Sequence, residues 1–189
     1  MKYLPNIISI IRILLVIPTV NYLWQNEYGK ALTVFFVAGV SDVLDGFLAR
    51  RFGWVTRLGS ILDPLGDKLL MTAIYFTLGL MGHLPIWLVA LVIGRDLVIV
   101  TGAVAYRLLV KEITMQHLLI SKLNTGFQIL LVLLLIFHLS TFPFATQIPV
   151  QVIEILIYIV TFTTLASGIA YVVIWTLRAR NEIKVRTTQ

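Results

Sequence analysis

Long apolar runs alternate along this chain with short breaks that carry charges, glycine or proline. Six runs stand out, at about 4–24, 30–50, 60–81, 84–108, 118–140 and 150–177. A hydrocarbon layer of about 30 Å needs roughly 20 helical residues per crossing, so each run is long enough for one transmembrane helix. The breaks read "QNEYGK", "RFGWVTRLG", "GHLP", "LVKEITMQH" and "STFPFATQIP", all poor continuations of an apolar helix. The pattern predicts an all-α polytopic membrane protein: a bundle of six transmembrane helices forming one domain over residues 1–189. The first run lacks a small-residue cleavage site and is expected to be a retained span. The polar tail from Arg178 to Gln189 reads as a frayed helix end.

Composition sharpens that picture. Hydrophobic residues make up 59% of the 189 positions and charged residues 13%, about half the charged share of a soluble domain. Cysteine is absent, which excludes disulfides and thiolate chemistry. The net charge of +6 does not form a patch on a polar domain; the basic residues fall between apolar runs, so nucleic acid is not an expected partner. Lys2, Arg50, Arg51, Arg57, Lys111 and Arg178 are among those on one set of connections, and Lys30 stands alone on the other. Basic residues favour cytoplasmic connections, so both termini and the junction of the second and third runs are expected in the cytoplasm.

That junction, "SDVLDGFLARRFGWVTRLGSILDPLGDK", holds Asp42, Asp45, Asp63 and Asp67, four of only nine acidic residues. An ionised aspartate deep in a membrane helix costs about 2.5–3.5 kcal/mol, and such residues usually mark function. Spacings of three and four place each pair on one helical face. Gathered carboxylates repel one another unless cations offset them, and an all-oxygen set without His or Cys suits Mg²⁺ or Mn²⁺, as one ion or two. Gly46, Ala49 and Gly59, one turn from the aspartates, keep side-chain bulk low beside them; close helix packing would use the same small residues.

Asp42, Asp45, Gly46, Ala49, Arg50, Gly59, Asp63 and Asp67 fall at every fixed position of D-x2-D-G-x2-A-R-x8-G-x3-D-x3-D. In this the chain resembles the CDP-alcohol phosphatidyltransferases, and the resemblance covers essentially its whole length. It implies displacement of CMP from CDP-diacylglycerol by the hydroxyl of an acceptor alcohol, with Mg²⁺ or Mn²⁺. Asp42, Asp45 and Asp63 would hold metal against the pyrophosphate. Asp67 would complete the metal site and act as base, while Asp42, Gly46, Ala49, Arg50 and Gly59 would border the nucleotide. A homodimer embedded among membrane lipids is implied as well.

Arg95 and Asp96 stand in the middle of the fourth run and Lys122 at the start of the fifth. Arg95 reads either as half of a structural ion pair or, the reading preferred here, as a ligand for an acceptor phosphate, and Lys122 poses the same choice. Arg57 is a further candidate phosphate contact. The stretches "RD", "SKLNTGFQ" and "FTTLAS" resemble most the branch of the family whose acceptor is phosphatidylglycerol; the branch that takes glycerol-3-phosphate often has Glu at position 96 and a second Lys at position 124. Phosphatidylglycerol is therefore the favoured acceptor, with glycerol-3-phosphate second. A cation channel or transporter is the rival from another class, and it expects acids spread through the depth of the membrane. Arg12 is open between snorkelling to the interface and reaching the nucleotide.

Overall fold

The computed structural model describes the backbone of residues 4–52, 59–109 and 119–187, and the side chains of residues 10–41, 66, 68–102, 119–145 and 147–176. Among the described residues six α-helices follow one another: α1 (Leu4–Trp24), α2 (Tyr28–Phe52), α3 (Gly59–Leu80), α4 (Ile86–Leu109), α5 (Leu119–Leu139) and α6 (Val150–Thr187). A 3₁₀ turn, Ala145–Gln147, precedes α6, and no strand occurs among the described residues. Five of the helices end within two residues of the apolar runs. The sixth continues to Thr187 instead of stopping near 177. Hydropathy marks where a span leaves the apolar layer, whereas the helix itself persists through "RARNEIKVR", which is rich in good helix formers and free of Gly and Pro.

Two of the breaks are built alike. Asn26 after α1 and Gly82 after α3 both adopt positive φ, 58° and 79°. Glu27 N–H then reaches back to the Tyr22 carbonyl and Asn26 N–H to Leu23; His83 N–H reaches Leu78 and Gly82 N–H reaches Gly79. These paired bonds satisfy carbonyls that a helix end leaves bare, using a left-handed residue that Gly and Asn tolerate best. The Tyr28 hydroxyl ties the two turns together, donating to Asn26 Oδ1 at 2.7 Å with His83 Nε2 2.8 Å away. Gly82→Ala puts a Cβ on a left-handed residue and is expected to cost about 1–2 kcal/mol, read as a lowered unfolding midpoint of the detergent-solubilised protein.

Within the apolar helices, hydroxyls are satisfied locally. Thr19 donates to the Leu15 carbonyl and Thr77 to the Ala73 carbonyl, each at 2.7 Å. This lets a polar side chain sit among apolar neighbours with its proton donated to its own helix.

The helices form two compact units. In the first, α1 packs on both α2 and α3, and the unit also takes in residues 132–149. Its buried apolar side chains include Leu23, Ala31, Phe35, Ile74, Leu78 and Ile136. In the second, α4 packs on α6, joined by the part of α5 up to Leu131. Leu88, Val92, Leu131, Ile153 and Val160 are buried there.

Among the described residues two helical stretches, Leu119–Leu139 and Val150–Thr176, are long and apolar enough to cross a membrane. Ile10–Trp24, Tyr28–Ser41 and Lys68–Leu80 are shorter apolar stretches of α1, α2 and α3. The expectation of six spans thus meets six helices, of which two pass this criterion by length and composition. Large apolar side chains are exposed along α6, Phe162 at 72% and Tyr158 at 70%, with Ile155, Leu165 and Ile169 beside them.

Candidate active site

The signature stretch lies at the C-terminal end of one helix and the N-terminal end of the next, both in the first unit. α2 carries Asp42, Asp45, Gly46, Ala49 and Arg50, and α3 opens at Gly59 and carries Asp63 and Asp67. Because the backbone is helical through both, Asp42 and Asp45 share one face with an axial offset of about 4.5 Å, and Asp63 and Asp67 share another with an offset of about 6 Å. The side chains of these residues, and Arg57 altogether, lie outside the described residues. On α3 Gly66, just before Asp67, is buried, and Lys68, just after it, is half-buried. Among the residues whose side chains are described, no group of three or more His, Asp or Glu gathers as a metal site.

At the opposite end of α2, the same unit has a hollow of about 490 Å³ bordered by Tyr28, Lys30, Thr33, Ser140 and Phe142. It is separated from Asp42 by some fourteen residues, about 21 Å along the helix, and takes no part in the signature.

The second unit holds a polar cluster inside its apolar helices. Arg95 is 6% exposed. Its guanidinium donates to Asp96 Oδ1 at 2.6 Å, to Ser167 Oγ from Nη2 at 2.8 Å and from Nε at 3.3 Å, and to Ser121 Oγ. Gly168 on α6 lies beside it: a Cβ there would be in ordinary contact, 3.7 Å from Arg95 Cγ. The ion pair that the sequence left as the less favoured alternative is therefore formed, and two serines add to it. Lys122, one residue beyond Ser121, is exposed and makes no hydrogen bond among the described residues.

A second knot lies beside it. Asn124 is fully buried on α5, and its Oδ1 accepts hydrogen bonds from the hydroxyls of Thr163 and Thr164 on α6, both at 2.8 Å. Ser121, Thr163, Thr164 and Ser167 were not singled out as partners from the sequence, although a signal was there. Ser121, Asn124 and Gln128 repeat at three and seven residues and Thr164 and Ser167 at three, the spacing of one helical face. Arg12 is 1% exposed; its guanidinium does not snorkel to the surface of the chain, because α1 is covered on that face by its neighbours.

Comparison with known proteins gives this arrangement its context. Residues 2–166 match the family described as CDP-alcohol phosphatidyltransferase. Human cardiolipin synthase (CMP-forming) is 35% identical over 187 residues, which cover 89% of this chain and 60% of the human protein. A cardiolipin synthase (CMP-forming) / mitochondrial hydrolase fusion protein of Schizosaccharomyces pombe is 36% identical over 184 residues, covering 89% of this chain and 30% of its own length. The CDP-diacylglycerol–glycerol-3-phosphate 3-phosphatidyltransferase of Bacillus subtilis is 33% identical over 143 residues, or 73% of this chain and 69% of that one. The chain thus spans from 30% to 60% of the length of the fission-yeast and human relatives. It belongs to the CDP-alcohol phosphatidyltransferase family.

Proposed function

We propose that the protein transfers the phosphatidyl group of CDP-diacylglycerol to a glycerol-type alcohol and releases CMP, with phosphatidylglycerol as the favoured acceptor and cardiolipin as its product. The observation that carries this reading is the unbroken eight-position signature on α2 and α3, inside the matched residues 2–166. Glycerol-3-phosphate is the second acceptor to consider, because a chloroplastic rice relative named for that reaction is 34% identical over 186 residues, close to the figure for the human cardiolipin synthase.

In this reading Asp42, Asp45, Asp63 and Asp67 hold one or two divalent cations. Four carboxylates on two helical faces, with no soft ligand near in sequence, fit a hard ion such as Mg²⁺ or Mn²⁺. When bound, the metal supplies charge neutralisation for the pyrophosphate and for the departing CMP. Gly46, Ala49 and Gly59 leave room for the nucleotide, and Arg50 donates to its phosphate oxygens. The acceptor oxygen attacks the phosphorus that carries the diacylglycerol, the phosphoanhydride bond to CMP breaks, and Asp67 takes the hydroxyl proton. Arg95, Lys122 and Arg57 serve the acceptor side; for Arg95 the contact would be made by a guanidinium already braced by Asp96, Ser121 and Ser167.

Six membrane spans with cytoplasmic termini and a cytoplasmic active site belong to the same proposal, as does a homodimer. Six helices of 21 to 38 residues, the exposed apolar side chains of α6 and the asymmetric placement of Lys and Arg support the topology. Family membership weighs against the channel or transporter reading. The test is to offer the purified protein CDP-diacylglycerol, a divalent cation and each acceptor separately, and to identify the lipid formed. Cardiolipin from phosphatidylglycerol is expected; phosphatidylglycerophosphate alone would move the assignment to the second acceptor, and no product from either would overturn it.

A further inference from the structure

The hollow at the far end of α2 from the signature does not stop at its polar rim. Thr33 and Phe142 border it and also border a second, apolar hollow of about 380 Å³, lined by Phe36 on α2 and by Leu133, Leu134 and Phe137 on α5. Residues 33 and 36 share one face of α2, and residues 133, 134 and 137 share one face of α5, so the apolar part is a groove along both helices. The Phe142 ring, stacked on Phe137 with centroids 6.3 Å apart, stands where the two hollows meet. Phe36 and Phe142 are 61% and 43% exposed, which leaves the groove open along its side. At about 490 and 380 Å³, each part is within the size range of a small-ligand site.

The polar part carries one charge of each sign, Glu27 and Lys30. The two pair with one another at 2.9 Å, one helical turn apart, with side chains 37% and 62% exposed. An exposed pair of this kind is held by about 1 kcal/mol or less, so either partner can turn to a ligand. The neighbouring hydroxyl protons are committed: Tyr28 donates to Asn26 Oδ1, Thr33 to the Gly29 carbonyl and Ser140 to the Phe137 carbonyl. Recognition therefore falls chiefly to the two charges. Lys30 suits a phosphate and Glu27 an ammonium, the two groups of a zwitterionic head group. A head group that lacks the ammonium leaves the Glu27 carboxylate facing a second anion. The adjoining groove takes an apolar tail, so the shape and the charges together describe one amphiphile.

We propose that the hollow and groove bind a zwitterionic phospholipid of the surrounding bilayer, with its phosphate on Lys30, its ammonium on Glu27 and the first part of one acyl chain between α2 and α5. The site lies wholly within the first unit, about 21 Å along α2 from Asp42. It rests on the membrane reading given above, and the experiment separates the two. The full chain is reconstituted, without CDP-diacylglycerol, in vesicles of equal parts phosphatidylethanolamine and phosphatidylglycerol. A trace of one lipid or the other carries a photoactivatable diazirine near the head-group end of one acyl chain. After irradiation, label is measured on the groove residues and, as a reference, on the exposed apolar face of α6 around Tyr158 and Phe162.

Relative to α6, the wild-type groove is expected to take about fivefold more label from phosphatidylethanolamine than from phosphatidylglycerol, the upper end for an exposed ion pair. Glu27→Gln brings that ratio to about one. Leu134→Trp fills the groove and lowers its label from both lipids by about tenfold, the loss of about two buried methylenes. Equal label from the two lipids in the wild type overturns the inference, as does a ratio that Glu27→Gln leaves unchanged. So does a groove that stays unlabelled while α6 is labelled, the result expected if a second copy of the chain covers it. Label on neither surface overturns the membrane reading and the inference together.

Discussion

Asp67→Asn is expected to lower phosphatidyl transfer by roughly 10³-fold, within the 10²–10⁴ range that a positioned acid–base group contributes. Asn keeps the size of Asp and one oxygen for a metal, but it cannot accept the acceptor's proton at neutral pH. Its position is inside α3, well past the first turn that opens at Gly59, so the amide does not disturb a helix end. Initial rates of CMP release at saturating CDP-diacylglycerol check the expectation. A rate within tenfold of the wild type would show that the proton leaves by another route and that Asp67 serves only as a ligand.

The second large effect concerns stability. Asp96→Ala removes the carboxylate 2.6 Å from Arg95 Nη1, and both side chains are withdrawn from solvent, at 4% and 15% relative exposure. Breaking a buried pair from one side leaves a charge without compensation and costs about 3–5 kcal/mol, whereas replacing both members by apolar groups is often close to neutral. Ser121 and Ser167 would still bond the guanidinium but carry no charge. Arg95→Met with Asp96→Ala together should therefore restore most of the unfolding midpoint lost in Asp96→Ala alone, measured in the same detergent. If the double variant is the less stable of the two, the pair is not the stabilising unit and Arg95 is held chiefly by its serines.

What could be read from the sequence divides along physical lines. Helix existence and most helix ends were legible because length, apolarity and the breakers Asn26, Gly82 and Pro149 all act within a few residues. The end of α6 was not, since a polar helix leaving the apolar layer carries no hydropathy signal. Asp42, Asp45, Asp63 and Asp67 stood out as candidates because charge is costly among apolar runs and their spacing repeats the helix; their side chains lie outside the described residues. The partners of Arg95 were harder: Asp96 is its neighbour in sequence, but Ser121 and Ser167 lie 26 and 72 residues away. Serine and threonine are unremarkable in a membrane helix, so only the α4–α6 packing and the face shared by Ser121, Asn124 and Gln128 reveal what they bind.

The most direct measurement is the stoichiometry of CMP to phospholipid product in one reaction, with labelled CDP-diacylglycerol and phosphatidylglycerol, before and after chelation of divalent cations and again after Mg²⁺ or Mn²⁺ is returned. One CMP per molecule of cardiolipin, lost on chelation and recovered with the ion, is the predicted result. CMP without a transferred phosphatidyl group, or transfer that persists unchanged after chelation, would contradict the role assigned to the four aspartates.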